Sequence, residues 1–263
     1  MDPTATIALY AASGDLVDGA LTYDDRDVVF TPSASLLPNT GYQAVLDWCG
    51  GSDVWSFVTT DVGSWTGDPT GMVYRLDLAD ADWVEPEAAG TLIASAISNS
   101  LLLKVLAFDG EMELRLAWTD KSGLHQDLCL ATADETVADL STLPGFGLGP
   151  SDGTLVVAGE SLVLRDRWLS ARFADDLGSL EDTRFGGTVD FRDWADFFSE
   201  AVGTEDADAI CDLFASVGAT CGACADGASY CADFRAEEVG AEAVSTKVEE
   251  RTEEEISLDP RCR

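Results

Sequence analysis

The chain has 263 residues, enough for two domains with sizeable cores, and its 46% hydrophobic content with seven tryptophans excludes a disordered polymer. Its 49 Asp and Glu against 15 Lys and Arg leave a formal charge of −34. Such a surface repels phosphates and anionic lipid headgroups, which argues against nucleic acid and membrane surfaces as partners.

Residues 1–10 (MDPTATIALY) lack the basic start and long apolar core of a signal peptide. Short runs rich in β-branched and aromatic residues follow, carrying Val28 and Phe30, then Tyr42 and Val45, then Trp55 and Phe57, with turn-forming clusters at 24–27, 38–41 and 50–53 between them. The alternation predicts an antiparallel β unit. The order G-x-L-x-Y, V-x-F-x-P, L-x-x-x-T-x-Y and W-x-F-x-T is carried by Gly19, Leu21, Tyr23, Val28, Phe30, Pro32, Leu36, Thr40, Tyr42, Trp55, Phe57 and Thr59. It resembles the bacterial Ig-like domain of S-layer and other surface proteins. That resemblance implies a two-sheet sandwich used as a spacer or display module, without catalysis. It also implies one or two strands ahead of the segment matching 2–9, so Met1 reads as an internal start and those strands as supplied by upstream chain or another subunit.

Residues 63–71 read as a linker, which makes 1–62 an incomplete Ig-like module and 72–192 a second, β-rich domain. A strand is predicted at 73–78. The longest apolar run, 90–108, is interrupted by Ser95, Ser98, Asn99, Ser100 and Lys104, and a membrane span needs ~20 predominantly apolar residues. It reads instead as a helix at 88–96, a turn at 98–100 and a buried strand at 101–107. Asp109 and Gly110 turn that strand into a partner at 111–119, where Met112, Leu114, Leu116 and Trp118 alternate with Glu111, Glu113 and Arg115, the face that should meet water. Glycine-rich 143–153 predicts a loop, and without a following Gly-Lys-Ser/Thr it is no phosphate cradle. Strands at 154–158, 161–165, 168–173 and 187–191 complete a sandwich-like or barrel-like sheet.

The character changes at 193–263, a helical, Cys-rich segment and acidic tail predicted to pack on the β domain. At 193–201, Trp194, Phe197, Phe198 and Ala201 share one helical face, and at 206–217 Ile210, Leu213, Phe214 and Val217 do the same. Cys211, Cys221, Cys224 and Cys231 follow the spacing C-x9-C-x2-C-x6-C. A zinc site wants two closely spaced pairs and only Cys221 with Cys224 forms one, so two disulfides fit better than zinc, with the connectivity open. Of Cys49, Cys129 and Cys262, one pair and one remainder is the arithmetic expectation. In the tail, alternation over 244–256 suits an edge strand, with a helix at 237–254 as the alternative.

A second resemblance spans 126–231: QDLC, then Pro144, Phe146, Gly149 and Pro150, then Gly187, Asp190 and Arg192, then C-x9-C-x2-C-x-D-G-x-x-Y-C. The succession is similar to predicted surface lipoproteins of myxobacteria-like bacteria. It implies an extracellular or outer-membrane location, with any lipid-bearing cysteine upstream of Met1. The three lysines (Lys104, Lys121, Lys247) among so many acids also resemble the surfaces of proteins from salt-loving organisms, although an ordinary acidic secreted protein gives the same composition.

Catalytic signatures are weak. The chain has no G-x-S-x-G, H-E-x-x-H or P-loop, its sole histidine, His125, stands four residues before Cys129 in a loop-like stretch, and pairs drawn from Asp109, Glu111, Glu113, Glu181 and Asp182 arise easily among 49 acids. No catalytic, cofactor or resident metal residue is assigned. Calcium remains an option at Asp77, Asp80 and Asp82 or at Asp206, Asp208 and Asp212, though neither cluster has an EF-hand's glycine and terminal Glu. The reading is a mainly β, non-enzymatic structural or display protein of a bacterial surface, with cell-envelope or protein partners. The alternatives are an extracellular binding module that takes a glycan or protein ligand on Trp65, Trp83 or Trp168, and a hydrolase.

Overall fold

The computed structural model describes residues 5–23, 28–34, 36–37, 40–59, 66–86, 94–137, 140, 142–216 and 219–262. The fold is mainly β, with a few short helices, and divides into two compact units, Met1–Trp65 and Thr66–Arg263.

In the first unit, β1 (Thr6–Ala11), β4 (Gly41–Trp48) and β5 (Gly51–Val58) form one antiparallel sheet, and β2 (Gly19–Tyr23) with β3 (Val28–Pro32) forms another. Their shared core is small: buried Leu9, Tyr42 and Ala44, with Ala11, Val17, Phe30 and Leu36 packed against them. The motif residues have local work to do. The Tyr42 hydroxyl accepts from the Leu37 N–H at 2.8 Å, while the Thr59 hydroxyl accepts from the Thr40 N–H at 3.0 Å and donates to the Leu37 carbonyl. Together they hold Leu37 and Thr40, the described residues just ahead of β4. The predicted turns at 24–27 and 38–39 lie outside the described residues.

The second unit is built on a curled ten-stranded sheet. Along its main path β10 (Ala133–Val137), β9 (Met112–Trp118), β8 (Leu101–Phe108), β6 (Val73–Asp77), β15 (Gly240–Ala243), β13 (Ser179–Asp190), β12 (Glu160–Phe173) and β11 (Gly145–Val157) are neighbours, and β14 (Cys231–Glu237) joins β13 to β7 (Asp82–Glu85). The predicted hairpin is present, turned at Gly110, whose φ of 76° favours glycine. Its alternation places Met112, Leu114, Leu116 and Trp118 in the core, opposite Leu101, Leu103 and Val105. Tyr74, fully buried, packs against Phe173, which stacks on Phe146. Burial, with the Asp176 charge adding to it, pushes the Tyr74 phenol up to about 12.

Several expectations need correction here. Residues 143–153 are not a loop, because residues 145–153 form the first half of β11. Its glycines answer to close packing: a Cβ on Gly149 would sit 2.2 Å from the Arg167 carbonyl oxygen, and one on Gly153 2.5 Å from the Arg167 guanidinium. Pro150 falls where the β11–β12 register shifts, on a strand at the end of the sheet path, where a missing N–H is tolerated. The strands expected at 161–165 and 168–173 are one, β12, bent by a register shift before Trp168. Four strands, β7, β10, β14 and β15, are unanticipated: all are short, and β14 and β15 carry almost no β-branched or aromatic residues.

The sheet path ends at β10 and β11, and side chains bring these ends together. Glu135 of β10 accepts from the Ser151 hydroxyl of β11 at 2.7 Å and pairs with Arg167 of β12. The Arg167 side chain is only 8% exposed and that of Glu135 19%.

Helices α1 (Ala195–Val202) and α2 (Ala207–Ser216) pack through an aromatic cluster in which Phe191 meets Phe198 and Phe214, and Trp194 meets Phe234. Trp194 also donates its indole N–H to the Val163 carbonyl at 2.7 Å. Leu213, expected on the buried face of α2, is exposed, and Val217 lies outside the described residues. Of the helix predicted at 88–96, only 94–96 is described, and it is helical.

The tail is neither an edge strand over 244–256 nor a helix from 237. Residues 244–252 form no strand ladder, and α3 (Glu253–Leu258) follows. Val248 covers Val73, Leu102 and Ala117 on the outer face of the sheet, so the face opposite Met112 and Leu114 is dry at this point. The tail's backbone bonds to side chains: the Val248 carbonyl accepts from Lys104 Nζ at 2.9 Å, and Glu249 exchanges two bonds with the Gln126 amide.

Candidate functional site

Cross-strand pairing builds one chemically mixed row on the outer face of the second unit's sheet. Trp168 of β12 is opposite Gly186 of β13, Gly186 opposite Arg235 of β14, and Arg235 opposite Glu85 of β7. The next row along, Leu169, Phe185, Ala236 and Trp83, is buried. Strand alternation, helped by a register shift between the two β14–β7 pairs, therefore turns the first row outward. Gly186 has no side chain, and the Trp168 indole lies over it: a Cβ there would fall 2.7 Å from Cε2 and Cζ2. Trp168 is half-buried.

Around the indole lies a concavity of about 370 Å³, bounded by Pro150, Asp166, Thr188, Asp233, Arg235 and Glu85. Thr188 donates to Asp233 Oδ1 at 2.9 Å, and Arg235 Nη2 is 3.3 Å from Glu85 Oε1. Arg235 Nε is buried and has no hydrogen-bond acceptor; its nearest carboxylate, Glu237, stands at 3.7 Å. The cleft thus offers an indole ring, the Arg235 guanidinium and several carboxylate acceptors. A larger concavity of about 560 Å³ in the first unit, lined by Tyr10, Tyr42, Phe57 and Val58 among others, has no charged side chain in its lining among the described residues.

The other aromatic candidates differ. Trp83 is buried, donates its N–H to the Leu78 carbonyl at 2.8 Å and packs edge-on against Phe234, so it presents no ligand face. Trp65 lies outside the described residues. The sequence reading did not single out Trp55 and Phe57 as exposed. Their partners Ala44 and Tyr42 place them on the face that buries Leu9, yet they are 44% and 37% exposed, because β3 packs against β1 and leaves β5 uncovered among the described residues.

All four clustered cysteines are in disulfides, Cys211 with Cys221 and Cys224 with Cys231, and Cys129 is bonded to Cys262. The seventh, Cys49, is exposed. The sulfur of Cys129 is therefore committed to its bridge rather than presented to His125, which is exposed and whose carbonyl accepts from the Asp120 N–H. Beside the Cys224–Cys231 bridge, Asp190 brings an oxygen within 4.8 Å of both sulfurs, but disulfide sulfurs are poor metal ligands. Arg192 pairs with Asp190 and Asp226 and lies over the Tyr230 ring, and its hydrogen bonds hold both carboxyls below their usual range. Neither aspartate cluster proposed for calcium gathers three ligand oxygens within that distance among the described residues; Asp77 and Asp206 instead accept from the backbone N–H two residues on. Asp109, Glu111, Glu113, Glu181 and Asp182 are all exposed, on a turn and two strands. No helix among the described residues is long and apolar enough to cross a membrane. Comparison with protein-family models, with curated proteins and with solved structures returned no match to this chain.

Proposed function

We propose that this is a non-enzymatic bacterial protein exported to the cell surface, where it serves as a structural or display element. The observation that carries the reading is the set of three disulfides, which form and persist in oxidising compartments. An extracellular or outer-membrane position is the finer form of the proposal, supported by the surface-protein resemblances of the first quarter of the chain and of 126–231. Its non-enzymatic part is supported by the engagement of Cys129 and by the dispersal of the exposed carboxylates. The test is to label intact producing cells with a membrane-impermeant amine reagent, recover the protein and map its peptides without reduction. We expect modified Lys247, whose side chain is 82% exposed, together with all three bridges. Unlabelled protein with those six cysteines as thiols would overturn the proposal.

One observation favours a second reading, an extracellular binding module: Trp168 is not fully buried and lines a concavity that holds groups of both hydrogen-bonding kinds.

A further inference from the structure

The Trp168 cleft limits the chemistry of what could fill it. An anion would meet Glu85, Asp166 and Asp233 against the single guanidinium of Arg235. A cation would suit the carboxylates and the indole face, but it would be repelled by Arg235 and, as a donor only, could accept nothing from that guanidinium. A purely apolar group would strand all of these polar atoms. A neutral ring bearing hydroxyls meets every requirement. Its C–H face can lie on the indole, and each hydroxyl both accepts, from Arg235, and donates, to Asp166, Glu85 or the second oxygen of Asp233, whose first is taken by Thr188.

We propose that the cleft is a subsite for a neutral hexopyranose unit of a glycan. Its volume of about 370 Å³ is near the lower end of ligand clefts, room for a short segment rather than an enclosed small molecule. Gly186 is what makes the platform: a side chain there would lift the indole off the sheet and close the space above it. This assignment goes beyond the display role and stands apart from it, since it depends on the cleft and not on where the protein resides.

The full chain is titrated with cellotetraose, chitotetraose, maltotetraose and xylotetraose, with tetramethylammonium and oligogalacturonate as the charged counterparts, by calorimetry and by shifts of the indole N–H resonances. We expect at least one neutral oligosaccharide to bind, with Trp168→Ala weakening it about tenfold or more and Trp168→Phe largely preserving it. Asp233→Asn, which leaves the platform in place, should weaken it about threefold to tenfold. Affinity for an uncharged ligand should change less than about threefold between about 0.15 and about 1 M salt. Circular dichroism of each variant separates lost binding from lost fold, and Asp233→Asn carries the test if Trp168→Ala does not fold. Four results would each overturn the assignment: no binding of any neutral oligosaccharide at about 10 mM, tighter binding of either charged probe, wild-type affinity in the Trp168→Ala and Asp233→Asn variants, or a steep salt dependence.

Discussion

Arg167 shows how a single side chain organises what surrounds it. Its guanidinium rests on Gly153, its main chain crowds Gly149, and its charge is met by Glu135 across the gap between the sheet's first and last strands. Removing one partner of such a nearly buried pair leaves an uncompensated charge, which costs about 3–5 kcal/mol, whereas an apolar replacement of both is often neutral. Glu135→Ala is therefore expected to lower the stability measured by urea unfolding by about 3 kcal/mol, and Glu135→Ala combined with Arg167→Met to recover most of that loss. Equal destabilisation of the single and double variants would show that packing, not charge, holds the ends together. None of this was readable from LPGFGLGPSDG, because a glycine needed for close approach looks the same in sequence as a glycine needed for a turn. The cleft was half legible for a related reason. Trp168 was one of three candidate tryptophans, but its value depends on Gly186, Arg235 and Glu85, which only the sheet register brings beside it.

Among the elements, the C-terminal tail is the one whose form the sequence hid best. Alternation of Val244, Thr246 and Val248 suggests a strand, yet no ladder forms: the Val244 N–H bonds to the Val73 carbonyl, and farther on the partners include side chains of Lys104, Gln126 and Thr132. The short helix that ends it was available from Thr252 and Glu255, which form a reciprocal capping box. Beyond that helix, the Asp259 carboxylate accepts from Arg261 at 2.6 Å and from Arg251 at 3.1 Å. The hydrogen bonds from the Arg261 side chain and N–H, followed by the nearby charges, hold this carboxyl well below its ordinary value of 3.8. A depressed carboxyl contributes its stability in full above the ordinary value and loses it as pH falls below that value toward its value in the fold. Protection of the 244–262 backbone from hydrogen exchange should therefore decline below about pH 4, and Asp259→Asn should weaken it at neutral pH while flattening the decline. A tail equally protected in the variant at pH 7 would remove Asp259 from the account.

At the scale of the molecule, the mainly β architecture was legible because the second strand of the central hairpin alternates and a glycine stands at its turn, whereas the short, alanine-containing β15, which joins β6 to β13, and β14, which carries β7, were not. Charge acts on the chain as a whole. With 49 acidic and 15 basic residues, self-repulsion opposes compaction, and at ~1 M salt the screening length falls to ~3 Å. The melting temperature should rise by at least about 5 °C between about 0.05 and about 1 M NaCl, a gain of roughly 1–2 kcal/mol for a chain of this size. A flat thermal profile across that range would show that self-repulsion does not limit the stability of the fold.

The bridge from Cys129 to Cys262 spans 133 positions and closes a covalent ring around every strand from β10 to β15, both aromatic helices and the tail. One peptide-bond cut inside that ring opens it without dividing the protein. A protease would have to cut twice within the ring to carry away a piece of it, and the ring can be sealed only after Cys262 has been synthesised.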